Sequence, residues 1–133
     1  MFRKRVQRGM VALLGCCVLI GAHASAEFLG AWAGSWEGAG SGGRFDMTLT
    51  QTGAALGGQV DVGQDTGDYT ATFSTAALEG GKFRARYDYP PDPQAEIVLE
   101  GVFEAGAATG TWTMVQKGGT ESFAAGSWAV KKK

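Results

Sequence analysis

Phe45, Met47 and Leu49 alternate with Asp46, Thr48 and Thr50. A period of two predicts a strand with one face in a core and the other in water. The same alternation recurs along the chain, and no long window places apolar residues at helical spacing. It predicts eight strands, over about 31–37, 43–51, 55–62, 68–78, 81–89, 95–104, 107–116 and 120–130. Turn signals separate them at Ala39-Gly40-Ser41-Gly42, Thr52-Gly53, Gly63 to Gly67, Gly80-Gly81, Pro90 to Pro93, Ala105-Gly106 and Gly118-Gly119. Every connection is of hairpin length, which predicts antiparallel pairing in chain order.

Two registers follow from the side chains. The phrases Gly110-Thr111-Trp112 and Gly126-Ser127-Trp128 flank the turn Lys117-Gly118-Gly119-Thr120. Pairing Trp112 with Gly126 and Trp128 with Gly110 lets each indole cover the other arm's glycine, which offsets the weakness of glycine in a strand. A third copy, Gly34-Ser35-Trp36, leads to the expectation that the first strand pairs with the last. In the fifth and sixth strands, setting Phe83 against Gly101, Ala85 against Leu99 and Tyr87 against Ile97 turns the apolar set inward. The row Lys82, Arg84 and Arg86 then faces Glu96, Glu100 and Glu104 on the outside, a solvated charge ladder.

Eight consecutive antiparallel strands with one wet face close most economically as an up-and-down barrel, an all-β meander without exposed edges. The expected fold is therefore an eight-stranded antiparallel barrel spanning 27–133 as one domain. Its inner face would carry Phe45, Tyr69, Phe73, Phe83, Tyr87, Ile97, Phe103 and Trp112. These rings serve either as plain core or, for Phe45, Tyr69, Phe73, Phe83, Tyr87, Phe103 and Trp112, as the wall of a ligand site. An interior cavity above about 300 Å³ would favour the ligand and a filled interior would favour a protein partner.

Gly34-Ser35-Trp36, followed by Phe45-Asp46-Met47-Thr48-Leu49-Thr50-Gln51 and Leu56-Gly57-Gly58 and closed by the glycine-tryptophan strands at the end, resembles the calycin-type barrels, the lipocalins and avidins. The resemblance implies that Trp36 packs at the closed end of the barrel under a basic residue of the last strand, a place Lys131 would take. It does not extend to biotin binding, because Glu37-Gly38 follow the first tryptophan and no tyrosine follows Leu56-Gly57-Gly58.

Residues 1–26 combine a basic start (Arg3, Lys4, Arg5, Arg8), an apolar run from about Met10 to Ala22 and the ending Ala24-Ser25-Ala26. This is the pattern of a secretory signal peptide cleaved after Ala26, so a periplasmic or secreted protein is expected. The rival is lipidation at Cys16, since Leu13-Leu14-Gly15-Cys16 loosely resembles a lipobox. The apolar run falls short of the ~20 residues of a membrane span. The segment holds Cys16, Cys17 and His23, so the 107 residues that follow contain neither Cys nor His. That composition excludes thiol and histidine catalysis and the usual zinc sites. The remaining eight basic and thirteen acidic side chains give a net charge of −5, which speaks against nucleic acid.

Three features are weighed separately. Asp61, Asp65 and Asp68 are either an acidic loop or a calcium loop. Tyr87-Asp88-Tyr89-Pro90-Pro91-Asp92-Pro93 is either a structural turn or a recognition loop at the rim. Glu37, at the end of the first strand, is the one carboxylate a barrel mouth would hide, and Lys131-Lys132-Lys133 reads as a solubilising tail. The expectation is a non-catalytic binding module for a small apolar or aromatic ligand, without cofactor or metal. The alternative is a structural or inhibitor-type protein acting through its surface. The oligomeric state is not encoded in any of these patterns.

Overall fold

A computed structural model describes residues 25–133. The signal peptide and the lipidation site at Cys16 fall on residues 1–24, outside the described part. After a short 3-10 turn at Ala26–Phe28 come β1 (Gly30–Gly38), β2 (Ser41–Thr52), β3 (Ala55–Val62), β4 (Tyr69–Thr72), β5 (Thr75–Glu79), β6 (Lys82–Asp88), β7 (Ala95–Glu104), β8 (Ala107–Gln116) and β9 (Ser122–Lys132). They form one antiparallel sheet in the order β4-β3-β2-β1-β9-β8-β7-β6-β5. Trp36 pairs with Trp128, so first and last strands join as their shared phrase requires.

Both side-chain registers hold. Gly126 lies opposite Trp112 and Trp128 opposite Gly110, while Phe83, Ala85 and Tyr87 oppose Gly101, Leu99 and Ile97. A Cβ built on Gly126 would come within 2.6 Å of the Trp112 Nε1, and one on Gly110 or Gly101 within 2.7 Å of the Trp128 ring. These glycines are needed for space, because the indoles lie across the sheet. Each indole is then anchored by its N–H: Trp112 donates to Glu37 O (3.0 Å) and Trp128 to Thr111 O (3.0 Å). On the outer face Arg84 reaches Glu100 at 3.3 Å and Arg86 reaches Glu96 at 3.5 Å. Asp88, opposite Glu96, turns away to Lys117 at 3.1 Å.

The strand expected over 68–78 is two strands. Tyr69, Ala71 and Phe73 turn inward, but Leu78 does so at the opposite parity, so the alternation changes phase between them. β4 pairs with β3, and β5 pairs with β6. Between them the Phe73 N–H donates to Gly58 O (2.9 Å) and the Ser74 N–H to Arg86 O (2.8 Å). The chain thus changes partners over two residues, as strands do at corners where an irregular residue increases the local bend. The sheet curls until β3 approaches β5 and β4 approaches β6, giving a barrel-like shape with nine strands instead of eight. A bulge between Ser122 and Ala124 sets Phe123 on the outer surface.

The core runs through the inside of the curl. At the end where the Ala26–Phe28 turn meets the close of β9, Phe103 touches four rings edge-on or tilted: Trp32 (4.9 Å), Phe83 (5.1 Å), Phe28 (5.7 Å) and Trp128 (6.3 Å). The turn carrying Phe28 plugs this end. Lys132 stands 5.2 Å from the centre of the Trp32 ring and donates to the carbonyls of Glu27 (3.1 Å) and Leu29. The tryptophan under a last-strand lysine is therefore Trp32 beneath Lys132. Trp36 under Lys131 was expected, but Trp36 lies four residues beyond Trp32 along β1, two repeats of the pleat, at the other end. Lys132 is also no loose tail.

Candidate functional site

The opposite half of the curl is hollow. Its cavity of about 210 Å³ is walled by Trp36, Phe45, Tyr69, Tyr87, Tyr89 and Trp112, with Ile97, Leu99 and Met114 between the rings. The mouth is made by connections: Gly38, Ala39 and Ser41 from the β1–β2 turn and Gln64, Asp65 and Thr66 from the β3–β4 loop. The β1–β2 turn is tight, with positive φ at Ala39 (55°) and Gly40 (78°). Two such residues in a two-residue hairpin loop form the turn whose twist matches the flanking strands. Alanine is held there in a conformation that L-residues enter at some cost.

Of the seven residues expected to form the wall of a ligand site, Phe45, Tyr69, Tyr87 and Trp112 line this cavity. Phe73, Phe83 and Phe103 do not, because they belong to the ring cluster of the packed end: Phe73 and Phe83 lie 6.0 Å apart, and Phe83 meets Phe103. Inward parity is shared by both sets, and height along the barrel separates them. Trp36, Tyr89 and Gln64 were missed. Trp36 has the parity of the buried Trp32, and Tyr89 continues the inward series Phe83, Ala85, Tyr87 one step past the strand, so both were legible. Gln64 comes from a loop and carries no periodic signal.

The wall has an ordered set of polar atoms. The hydroxyls of Tyr69 and Tyr87 are 2.8 Å apart, and the Gln64 amide meets the Tyr89 hydroxyl at 3.2 Å from Nε2 and 3.3 Å from Oε1. The rings of Tyr69 and Tyr89 stand at 90° with centres 5.4 Å apart, and those of Trp36 and Trp112 at 82° and 5.8 Å. Burial pushes the Tyr69 hydroxyl up to about 12, with the Tyr87 hydrogen bond opposing the rise. Burial likewise raises Tyr87 well above its ordinary 10, reinforced by Tyr69. Both remain neutral through the physiological range, as hydroxyls able to donate or accept. Trp36 is fixed by its own N–H, which donates to Gly63 O at 2.9 Å.

Apart from Asp65 at the mouth, the acids fall elsewhere. Arg44 gathers Asp46 (3.0 Å), Asp61 (3.4 Å) and Asp68 (3.5 Å), and Asp68 also accepts from the Gln64 N–H (3.3 Å). Among the described residues no set of three or more acid, His or Cys side chains is placed to hold a metal ion. Glu37 is exposed, and only its main-chain carbonyl is used, by Trp112. No charged side chain among the described residues is buried. The proline connection is a structural turn: the Asp92 N–H donates to Tyr89 O (3.0 Å) and the Asp92 carboxylate accepts from the Gln94 N–H (3.0 Å), while Tyr89 reaches the cavity. No helix among the described residues is long and apolar enough to cross a membrane.

No protein-family model matches this chain, and no curated protein resembles it closely in sequence.

Proposed function

We propose that the protein is an exported binding module, periplasmic or secreted, that takes a small apolar or aromatic ligand into the hollow half of a calycin-like barrel and performs no chemistry. The observation that carries this reading is the aromatic-walled cavity of about 210 Å³. That volume lies below the ~300 Å³ at which drug-sized pockets begin, but above the ~150 Å³ of an apolar cavity that takes up benzene. The ligand is accordingly of single-ring size. Barrel closure belongs to the same reading: the Phe73–Ser74 step, bonded to Gly58 on one side and Arg86 on the other, joins the two sheet edges. The non-catalytic part is supported by carboxylates that lie open to solvent or pair with arginine and lysine, since a general acid needs a desolvated site to raise it.

The second reading, a structural or inhibitor-type protein, is favoured by Val102 and Phe123, large apolar side chains about half exposed on the outer face. Native mass spectrometry of protein purified from its own host separates the two. A bound mass of small-molecule size supports the ligand, and a protein adduct with an empty cavity supports the surface. Intact mass also reads the chain start. Cleavage after Ala26 leaves Glu27 first, whereas retention of Cys16 refutes it.

A further inference from the structure

Resting on the reading of the cavity as a ligand site, we propose that its ligand is a small methylated ammonium cation, held by the aromatic walls and drawn in by the acidic mouth. Six aromatic rings, from Trp36, Phe45, Tyr69, Tyr87, Tyr89 and Trp112, surround a space with no lysine or arginine among its lining residues. Two pairs of these rings meet near right angles, 90° for Tyr69 and Tyr89 and 82° for Trp36 and Trp112. Such a box presents ring electrons from several directions, which is the arrangement that attracts a cation already stripped of water.

Charge at the mouth points the same way. The one charged lining residue is Asp65, exposed on the β3–β4 loop, whose carboxylate makes no hydrogen bond or ion pair among the described residues. The connections at this end carry Asp65, Asp68, Asp92 and Glu121 against Lys117, which is already paired with Asp88, and of these acids Asp68 is shared with Arg44 on the neighbouring strand. A rim with an excess of acidic groups focuses cations towards the opening. An anion would meet this field and find no cationic partner inside.

The choice among cations follows from hydrogen bonding. A primary ammonium carries three N–H donors, and each needs a partner when it leaves water. The wall offers few acceptors, because the tyrosine hydroxyls already bond one another and Gln64 holds Tyr89. A quaternary ammonium has no N–H to satisfy and is no bulkier than a tert-butyl group, so it suits both the volume and the walls.

The test compares choline with 3,3-dimethylbutan-1-ol, its uncharged carbon isostere, by calorimetry and by quenching of tryptophan fluorescence at low salt. Indole and phenol serve as neutral ring probes. The expected result is choline binding at least tenfold tighter than the isostere. Asp65→Asn should weaken choline severalfold and leave the isostere within twofold. Equal affinities, or binding of the ring probes alone, would overturn the cation while leaving the cavity as a ligand site. If no probe binds, both readings fall. An unchanged choline affinity in Asp65→Asn would overturn the part assigned to the acidic mouth.

Discussion

The two ends of the curled sheet are made from the same residue types and differ in what they do with them. At the packed end Phe28, Trp32, Phe83, Phe103 and Trp128 fill the space with each other, and the Ala26–Phe28 turn seals it. At the hollow end the rings of Trp36, Tyr69, Tyr89 and Trp112 line the space without filling it. Tryptophans are anchored by their N–H at both ends, so the difference lies in tyrosine against phenylalanine. Phenylalanines can only be buried against other apolar groups. The tyrosines of the hollow end are tied to the wall by their hydroxyls, Tyr69 to Tyr87 and Tyr89 to Gln64, which holds their rings back from the middle. Stability should therefore be concentrated at one end and binding at the other.

Phe103→Ala tests that division most severely. It removes the ring on which four others rest, and truncation of a well-packed aromatic costs ~3–5 kcal/mol. The expected outcome is a fall at the upper end of that range in urea denaturation, with affinity for any cavity ligand unchanged in the fraction that folds. Trp112→Ala should cost less, about 3 kcal/mol, because its ring already borders empty space, and it should loosen ligand binding as well. Equal stability losses with equal effects on binding would erase the distinction between the two ends.

Alkaline pH sharpens it. Tyr69 and Tyr87 are harder to ionise folded than unfolded, so the folded state holds their protons more tightly. The contribution of Tyr69 is fully present below about pH 10 and is lost as pH rises through about 12, and that of Tyr87 is lost in the same direction. Stability should accordingly decline above pH 10, and the double variant Tyr69→Phe/Tyr87→Phe should flatten that decline. A decline of the same size in the double variant would place its cause outside the cavity. The smallest effect concerns the packed end's outer seal. Lys132→Ala removes a cation over Trp32 and donors to two carbonyls, and an exposed contact of this kind is worth about 0.5–1 kcal/mol. Thermal melts of Lys132→Ala beside Lys131→Ala should show a drop in the former alone.

Strand number nearly, strand pairing and face were written in the chain itself. The alternation around Phe45 and the Gly-x-Trp phrases determine which side chains turn inward and which strands meet, because a one-residue slip would put an indole against a strand with no glycine to receive it. Even the break in the 68–78 strand was legible, in the opposed parity of Phe73 and Leu78. What the pattern along a strand does not contain is position along the barrel axis relative to non-neighbouring strands. That coordinate alone separates Phe83 and Phe103, in the packed cluster, from Tyr87 and Trp112, on the cavity wall. It also decided that Lys132 covers Trp32, and that the loop residues Gln64 and Asp65 come to the mouth. Tertiary structure made these choices because they depend on how far the sheet curls, a sum of twist over all nine strands that no local stretch carries.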